Sequence, residues 1–579
     1  MNPIHYIGFD VRKKTISFCV KTAAGQIVEE GTLEAERTVL RRWASYPLFR
    51  VGASLRSKGR VLWEENVGME EFISNGSRAW NILAVSLFVC VVAAAQPARP
   101  PAADSFTGHP RVAIISDIGN EPDDQMSFVR LLLYSNELDL EAMIATTSTW
   151  QRTATHPETM HAIVQAYRQV RPNLLLHAQG WPTDGELDQR IFAGQAAYGM
   201  AATGEGKASA GSHALMKAIE RDDPRPLWIC LWGGANTLAQ ALMDLRASHS
   251  SSEMERLVSN LRVSSISDQD DAGPWIRREF PTLFYVVKPS PPNSEEYYQA
   301  TWTGISGDLY YRNYGGADTS LVTNEWLETN IRAKGPMGKW YPRFMFIMEG
   351  DTPSYLGLID NGLNAYRRPD WGGWGGRYVY RQPYGETHMI WSQGGDEFSR
   401  ATSQDRVIGV DGLEHVSDQA TIWRWRAAYQ NDFAARMDWT IKDFARANHN
   451  PELVVNGQAG TSPVELVAHA KQTVTLDAVG SKDPDGDTLH YHWWVYEEAG
   501  LAGTQGADVT INGTNSPQAL VTVNSPCRPA WIPGLPCRGE GVAHIILEVT
   551  DDGIPRLTSY RRVILQVRAV QAAVTPASK

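Results

Sequence analysis

Val112-Ala113-Ile114-Ile115 is a short apolar run that breaks off into an acid-rich segment, Ser116-Asp117-Ile118-Gly119-Asn120-Glu121-Pro122-Asp123-Asp124. A β-branched run of this length, without polar alternation, predicts a strand covered on both faces, as in parallel sheets. After the acids, Met126, Val129, Leu132 and Leu133 recur at helical spacing, and Leu140 to Thr146 forms a second strand-like run. Strand, helix and strand at these intervals predict a parallel βαβ unit. Leu174-Leu175-Leu176, Leu227 to Leu231, Phe284 to Val287 and Phe344 to Ile347 read as further strands. The expectation for residues 110–445 is an open, mostly parallel α/β sheet. Ligands of such sheets gather beyond the carboxyl ends of the strands, which is where the acids fall.

Part of the acidic segment has a structural explanation. Asp123 and Asp124 open the helix, where negative charge is favoured. Capping does not account for Asp117 and Glu121. Carboxylates crowded at one strand end repel each other and take up protons unless a cation neutralises them. Calcium accepts six to eight oxygens and suits such a cluster. Gly119 and Asn120 permit the tight turn that brings the acids back together.

Other positions carry two readings each. Asn236 follows Gly233-Gly234 at a strand end, where its amide either binds a sugar hydroxyl or caps the next helix. Asp268, Asp270 and Asp271, near Trp275 and Arg277, either line the same cleft or close a loop. Trp371-Gly372-Gly373-Trp374-Gly375-Gly376-Arg377 is either a sugar platform or a packed loop. His156, His161 and His213 are candidates for the acid that protonates a leaving group, and equally for surface or packing residues.

The 579 residues predict two to four units, and the net charge of -11 argues against a nucleic-acid partner. Residues 446–579 change character, with short alternating runs at Val464–Val467, Gln472–Leu476, His490–Trp494, Ala519–Val523 and Ile545–Val549. These predict an immunoglobulin-like β-sandwich. Asn448 to Glu452 reads as the linker before it, and Asp483-Pro484-Asp485-Gly486-Asp487 as an acidic turn within it. Cys527 and Cys537 flank a Pro/Gly-rich loop and are positioned for a short disulfide, whereas Cys230 reads as inert core.

Arg78-Ala79-Trp80-Asn81, the apolar stretch Ile82 to Ala95 and its small-residue end are the parts of a secretory signal peptide. The expectation assigns residues 69–95 to it and 96–109 to a linker. Met69 is then the initiator, and the mature chain is secreted or periplasmic without a membrane span. Residues 1–68 read differently. Gly8-Phe9-Asp10-Val11, Lys13-Lys14-Thr15 and Glu34-Ala35-Glu36-Arg37 resemble the opening of an insertion-sequence transposase of the DEDD type. That resemblance makes Asp10 a metal-binding acid, but the remaining acids have no counterpart and no nuclease activity is expected.

Ser116 to Gln125, Ala145-Thr146-Thr147-Ser148, Trp232 to Ala239, Ser267 to Arg277 and Met348 to Ser354 occur in an order that resembles the cellulose-binding, nucleoside-hydrolase-like family of secreted bacterial proteins. The resemblance spans residues 110–445, and the sandwich is similar to that family's C-terminal module. It implies a calcium ion held by Asp117, Asp124 and Asp351. It also implies Asp123 facing a carbohydrate or nucleoside-like substrate, for which Asn236, Asp268, Trp275, Trp371 and Trp374 are the further binding candidates read from the residues themselves. Asp117 is then the base that takes a proton from the attacking water. The loop departs from the nucleoside-hydrolase pattern, because Ile118 and Gly119 follow Asp117 and the Asp pair comes two residues later. The implied function is hydrolysis of N-glycosyl or glycosidic bonds; the alternative is a non-catalytic, cellulose-binding protein on the same scaffold.

Overall fold

The computed structural model describes residues 100–106, 108–311, 315–396, 401–501, 504–528, 537 and 539–569, together with strands between residues 5 and 65. The chain divides into two compact units, residues 1–97 and 98–579. In the first, His5–Val11, Thr15–Thr22, Ile27–Glu34, Val51–Arg56 and Arg60–Glu65 form a five-stranded sheet. The pairings given for it are antiparallel. The expected signal segment, residues 69–95, lies outside the described residues.

The second unit is built on an eight-stranded sheet. Its strands are β1 (Arg111–Ser116), β2 (Asp139–Ala145), β3 (Ile191–Ala193), β4 (Leu227–Leu231), β5 (Leu261–Ser265), β6 (Phe284–Val286), β7 (Val379–Arg381) and β8 (Ile390–Ser392). They lie in the order β7-β8-β6-β5-β4-β1-β2-β3, all parallel except β7. Every residue of β1 and of β4 is buried, as their unbroken apolar runs predict. From β1 the chain moves outward through β2 and β3, then returns to lay β4 on the other side of β1. The strand order therefore reverses between β1 and β4, which is where ligand crevices open in such sheets.

Two expected strands are corrected. Leu174 ends helix α2 (Pro157–Leu174), where it completes a buried stripe with Met160, Ile163, Tyr167 and Val170. Phe344 to Ile347 is a loop, and Met345 and Phe346 point outward, 71% and 39% exposed. An apolar run of three or four residues does not by itself distinguish strand, helix end and exposed loop.

The C-terminal part is a β-sandwich. Strands β9 (Val464–His469), β10 (Thr473–Asp477), β11 (His490–Val495), β12 (Asp508–Asn512), β13 (Gln518–Ser525), β14 (Glu540–Thr550) and β15 (Thr558–Arg568) form two sheets, β9-β15-β14-β11 and β10-β13-β12. Trp493, Val521, Leu547 and Val563 fill the core between them. Cys527 and Cys537 are disulfide-bonded, with Cα atoms 5.7 Å apart. In the acidic turn, Asp483 accepts the backbone N–H groups of Asp485 and Asp487, at 2.8 and 3.1 Å.

The sandwich is not a loosely tethered module. Tyr496, Ile546 and Tyr560 belong to the same hydrophobic cluster as Trp374, Trp425 and Tyr429. Arg562, fully buried, donates to the carbonyls of Leu363, Trp371 and Gly372. The expected linker is pinned as well: Asn448 is 5% exposed and donates to Asp551 at 3.0 Å.

Candidate active site

Asp117 is the first residue after β1 and is 4% exposed. Its carboxylate accepts from the Ser148 hydroxyl, and Gln151 donates to its carbonyl at 3.2 Å. The turn that follows needs glycine twice over. Gly119 has φ +107°, and a Cβ there would lie 2.6 Å from His156 Cδ2. At the end of β4, a Cβ on Gly233 would lie 2.8 Å from Asp117 Oδ1, so only glycine admits the acid between the two strand ends.

Pro122 then starts helix α1 (Pro122–Leu132), with Asp123 and Asp124 in its first turn. Neither serves as the cap residue; Asp124 instead accepts from the Ser116 hydroxyl on β1. The fourth acid arrives from far along the sequence. Asp351 is 3% exposed, and its carboxylate converges with those of Asp123 and Asp124 so that one oxygen from each lies within 4.8 Å of the others.

The loop that carries Asp351 is held from beneath by a group that the sequence reading missed. Arg130 on α1 forms an ion pair of 2.7 Å with Glu349, and both side chains are completely buried. Glu349 also accepts from Tyr341 at 2.6 Å and Thr352 at 3.0 Å, and adopts a left-handed backbone, φ 55°. One helix thus carries two acids of the cluster and the anchor for the third. Nothing local in the sequence pairs Arg130 with Glu349, so no motif search would have found it.

The electrostatics are those of an acid nest, in which the leading charges on each buried acid are other carboxylates. Burial, then neighbouring carboxylates, hold Asp351 and Asp124 well above the usual carboxylate range. The same causes push Asp123 to about 8. Burial pushes Asp117 to about 6, against the hydrogen bond from Ser148. The Asp351 Oδ2 atom is buried and has no hydrogen-bond partner. Three desolvated carboxylates around one point, one with an orphaned oxygen, fit a hard cation such as calcium, whose ligands are oxygens. Asp117 stands at the edge of this group, outside the three that converge.

Of the three histidines, His156 alone packs on the acidic loop; its Nδ1 lies 2.7 Å from Glu158. His161 pairs with Asp188 at 2.6 Å, and His213 is exposed on the helix Ala210–Glu220.

Several expected binding residues are committed elsewhere. Asn236, in the first turn of helix α3 (Asn236–Ser248), is fully buried and bonds Thr146, Thr147 and the Ala197 carbonyl, tying strand ends together rather than capping. Asp270 takes the capping role, accepting the N–H groups of Ala235 and Asn236 at 3.1 Å. Asp268 is locked in a two-pronged pair with Arg277, at 2.8 and 2.9 Å, and Arg277 also holds Glu386. Trp275 on helix α4 (Ala272–Glu279) packs edge-on to Phe280 at 6.0 Å, with Arg246 over its ring.

Trp371 and Trp374 are 7% and 2% exposed and do not form a surface platform. The glycines between them let the loop run under the sandwich, where Trp371 meets His544 and Trp374 meets Tyr429 and Tyr560. The aromatic rings that do border the acids are Trp302, Tyr297 and Tyr311. The Cβ position of Gly350 lies 2.7 Å from Asp123 Oδ2 and 3.3 Å from Trp302 Cζ3.

Residues 111–378 match the family model described as "Cellulose-binding Sde182, nucleoside hydrolase-like domain", and residues 473–567 match "Cellulose-binding protein Sde0182, C-terminal domain". A solved structure described as a nucleoside hydrolase-related hypothetical protein from Saccharophagus degradans, associated with carbohydrate metabolism, is 34% identical. The match covers 80% of this chain and 100% of that one, with a TM-score of 0.64. The chain belongs to this family. Within the Sde182 family architecture, the acidic cluster lies in the nucleoside hydrolase-like domain, and the contacts of Trp371 with His544 and of Trp374 with Tyr560 join it to the C-terminal domain. A PKD domain from the KIAA 1837 protein is 24% identical over 21% of this chain and 100% of its own, with a TM-score of 0.13. No curated protein matches the chain. Among the described residues, no helix is long and apolar enough to cross a membrane.

Proposed function

We propose that the protein is a secreted, calcium-dependent hydrolase of glycosidic or N-glycosyl bonds, acting on carbohydrate in a cellulose or plant-polysaccharide setting. The observation that carries this reading is the convergence of Asp123, Asp124 and Asp351 on one buried point, with Asp351 Oδ2 unpartnered. Asp124 and Asp351 would hold the cation, with Asp117 at its edge. A divalent ion there would neutralise the nest and make a nearby water easier to deprotonate. Asp117 is the base of this scheme. Ser148 orients its carboxylate, and an ionised carboxylate beside the cation can accept the water's proton. Asp123, on the aromatic side of the cluster, would accept a sugar hydroxyl. The family's description as cellulose-binding and the relative's association with carbohydrate metabolism support the substrate class.

Calorimetric titration of the purified protein with calcium should reveal a site that Asp351→Asn abolishes. Aryl glycosides or nucleosides should be turned over by the native protein, and about a hundredfold more slowly by Asp117→Asn. Unchanged turnover in Asp117→Asn would remove it as the base.

One observation favours a second reading. Asp117 lies outside the converging three, and its carboxylate is engaged by Ser148. On that reading the site binds carbohydrate without cleaving it. Metal-independent cellulose binding, with no turnover of any glycoside or nucleoside, is the result that would establish it.

A further inference from the structure

A file of aromatic rings runs from the acidic cluster to the surface. Trp302, beside Gly350 and Asp123, is its buried end, 4% exposed. Tyr311 stands edge-on to Trp302 with ring centroids 6.1 Å apart, and Tyr298 lies 4.8 Å from Tyr311. Tyr310 follows at 5.0 Å from Tyr311, and Phe346 at 5.4 Å from Tyr310. Tyr310 is 49% exposed and Phe346 39%, so these outer rings contribute little to the core. Exposed large rings in contact with one another form a candidate binding surface.

The chemistry of the occupant follows from what surrounds the rings. At the inner end stands the Asp123 carboxylate, an acceptor for hydroxyl groups. Ring faces with tyrosine hydroxyls at their edges suit a ligand with apolar C–H faces and a rim of hydroxyls, which describes a sugar. A single nucleoside has one base to stack and would use one ring. A file of rings leading outward accommodates several units in sequence. Successive planes turn by 73° between Tyr310 and Tyr311 and by 75° between Tyr310 and Phe346. Rings so turned cannot lie together on a flat crystalline face, whereas they can follow a separate, bending chain.

We propose that Tyr311, Tyr310 and Phe346 form a track for a single soluble oligosaccharide chain whose end reaches Asp123. The proposal rests on reading the acidic cluster as a sugar site, and it names the substrate as a free chain rather than a crystal surface.

Fluorescence titration of the full chain with cellohexaose tests it, with calcium calorimetry and a microcrystalline-cellulose binding assay run in parallel. Tyr310→Ala and Phe346→Ala should each weaken cellohexaose binding about tenfold. Both positions are exposed, so calcium affinity and thermal midpoint should stay as in the native protein. Cellohexaose affinity unmoved by either substitution overturns the track. So does native protein that retains microcrystalline cellulose but ignores cellohexaose, and so does an equal loss in an adenosine titration, which would make the rings a base platform. Failure of the metal reading registers separately, as absence of calcium heat in native protein whose cellohexaose binding still responds to the substitutions.

Discussion

Asp351 and Asp405 are both buried aspartates of the same compact unit, in opposite electrical settings. Asp405 lies at the seam with the sandwich. It pairs with Arg377 at 2.7 Å and Arg424 at 2.8 Å, and accepts from Tyr496 at 2.6 Å. Burial pushes its carboxyl up, but the two guanidinium groups outweigh burial and hold it below the ordinary value. Asp351 is just as desolvated, and the charges acting on it are the carboxylates of Asp124, Asp123, Asp117 and Glu121. Burial is therefore not what separates them; counter-charge is. Folding supplies the seam's counter-charge from within the chain, whereas among the described residues the leading charges on Asp351 are like-signed.

The largest effect is expected at the seam. Asp405→Asn strands Arg377 and Arg424 without their carboxylate and should cost about 3–5 kcal/mol in urea unfolding. A loss under about 1 kcal/mol would break the comparison, because it would mean that the seam charges are already compensated by their other partners.

A second effect, of opposite electrical origin, should appear in the pH dependence of the metal-free protein. Asp117 at about 6 and Asp123 at about 8 both lie above the 3.8 of a free aspartate. The folded state thus holds protons that the unfolded state releases. Their contribution to stability is full below about pH 4 and is lost as pH rises through 6 and then 8. Thermal midpoints in EDTA should fall across that window, and calcium should flatten the fall. A midpoint in EDTA that rises from pH 5 to 8 would contradict the acid nest.

The smallest effect is the most pointed. Asp351→Asn, the same exchange as at the seam, should leave metal-free protein unchanged or stabilise it by about 1 kcal/mol at pH 8, since it removes one repelling carboxyl. The sign is opposite to that at Asp405. A cost approaching the Asp405 value would show that the cleft is neutralised from inside.

Much of this architecture is legible residue by residue. Val112 to Ile115 reads as a covered strand because its neighbours in sequence already specify burial on both faces, and β1 bears that out. The acidic loop is legible for the same reason, since its turn, its glycine and its helix start are local. The sandwich runs at Val464–Val467 and His490–Trp494 likewise fall in strands. Roles that depend on distant partners were not legible. Asp268 has the chemistry of a ligand until Arg277 and Glu386 are seen to share it. Trp371 and Trp374 have the composition of a sugar platform until His544 and Tyr560 of the sandwich are seen to cover them. Tyr310 attracts no notice in sequence and Phe346 reads only as part of a strand-like run, because nothing there says that they stand beside one another.

The sequence by itself determined the parallel sheet, the sandwich and the acidic loop at a strand end, because apolar periodicity and turn chemistry act over a few residues. Only the tertiary structure decided which acids meet. Asp351 joins Asp123 and Asp124 because the buried Arg130–Glu349 pair fixes its loop against α1. Whether a charge is paired or orphaned depends on distances of a few ångströms between segments far apart in the chain, and packing sets those distances.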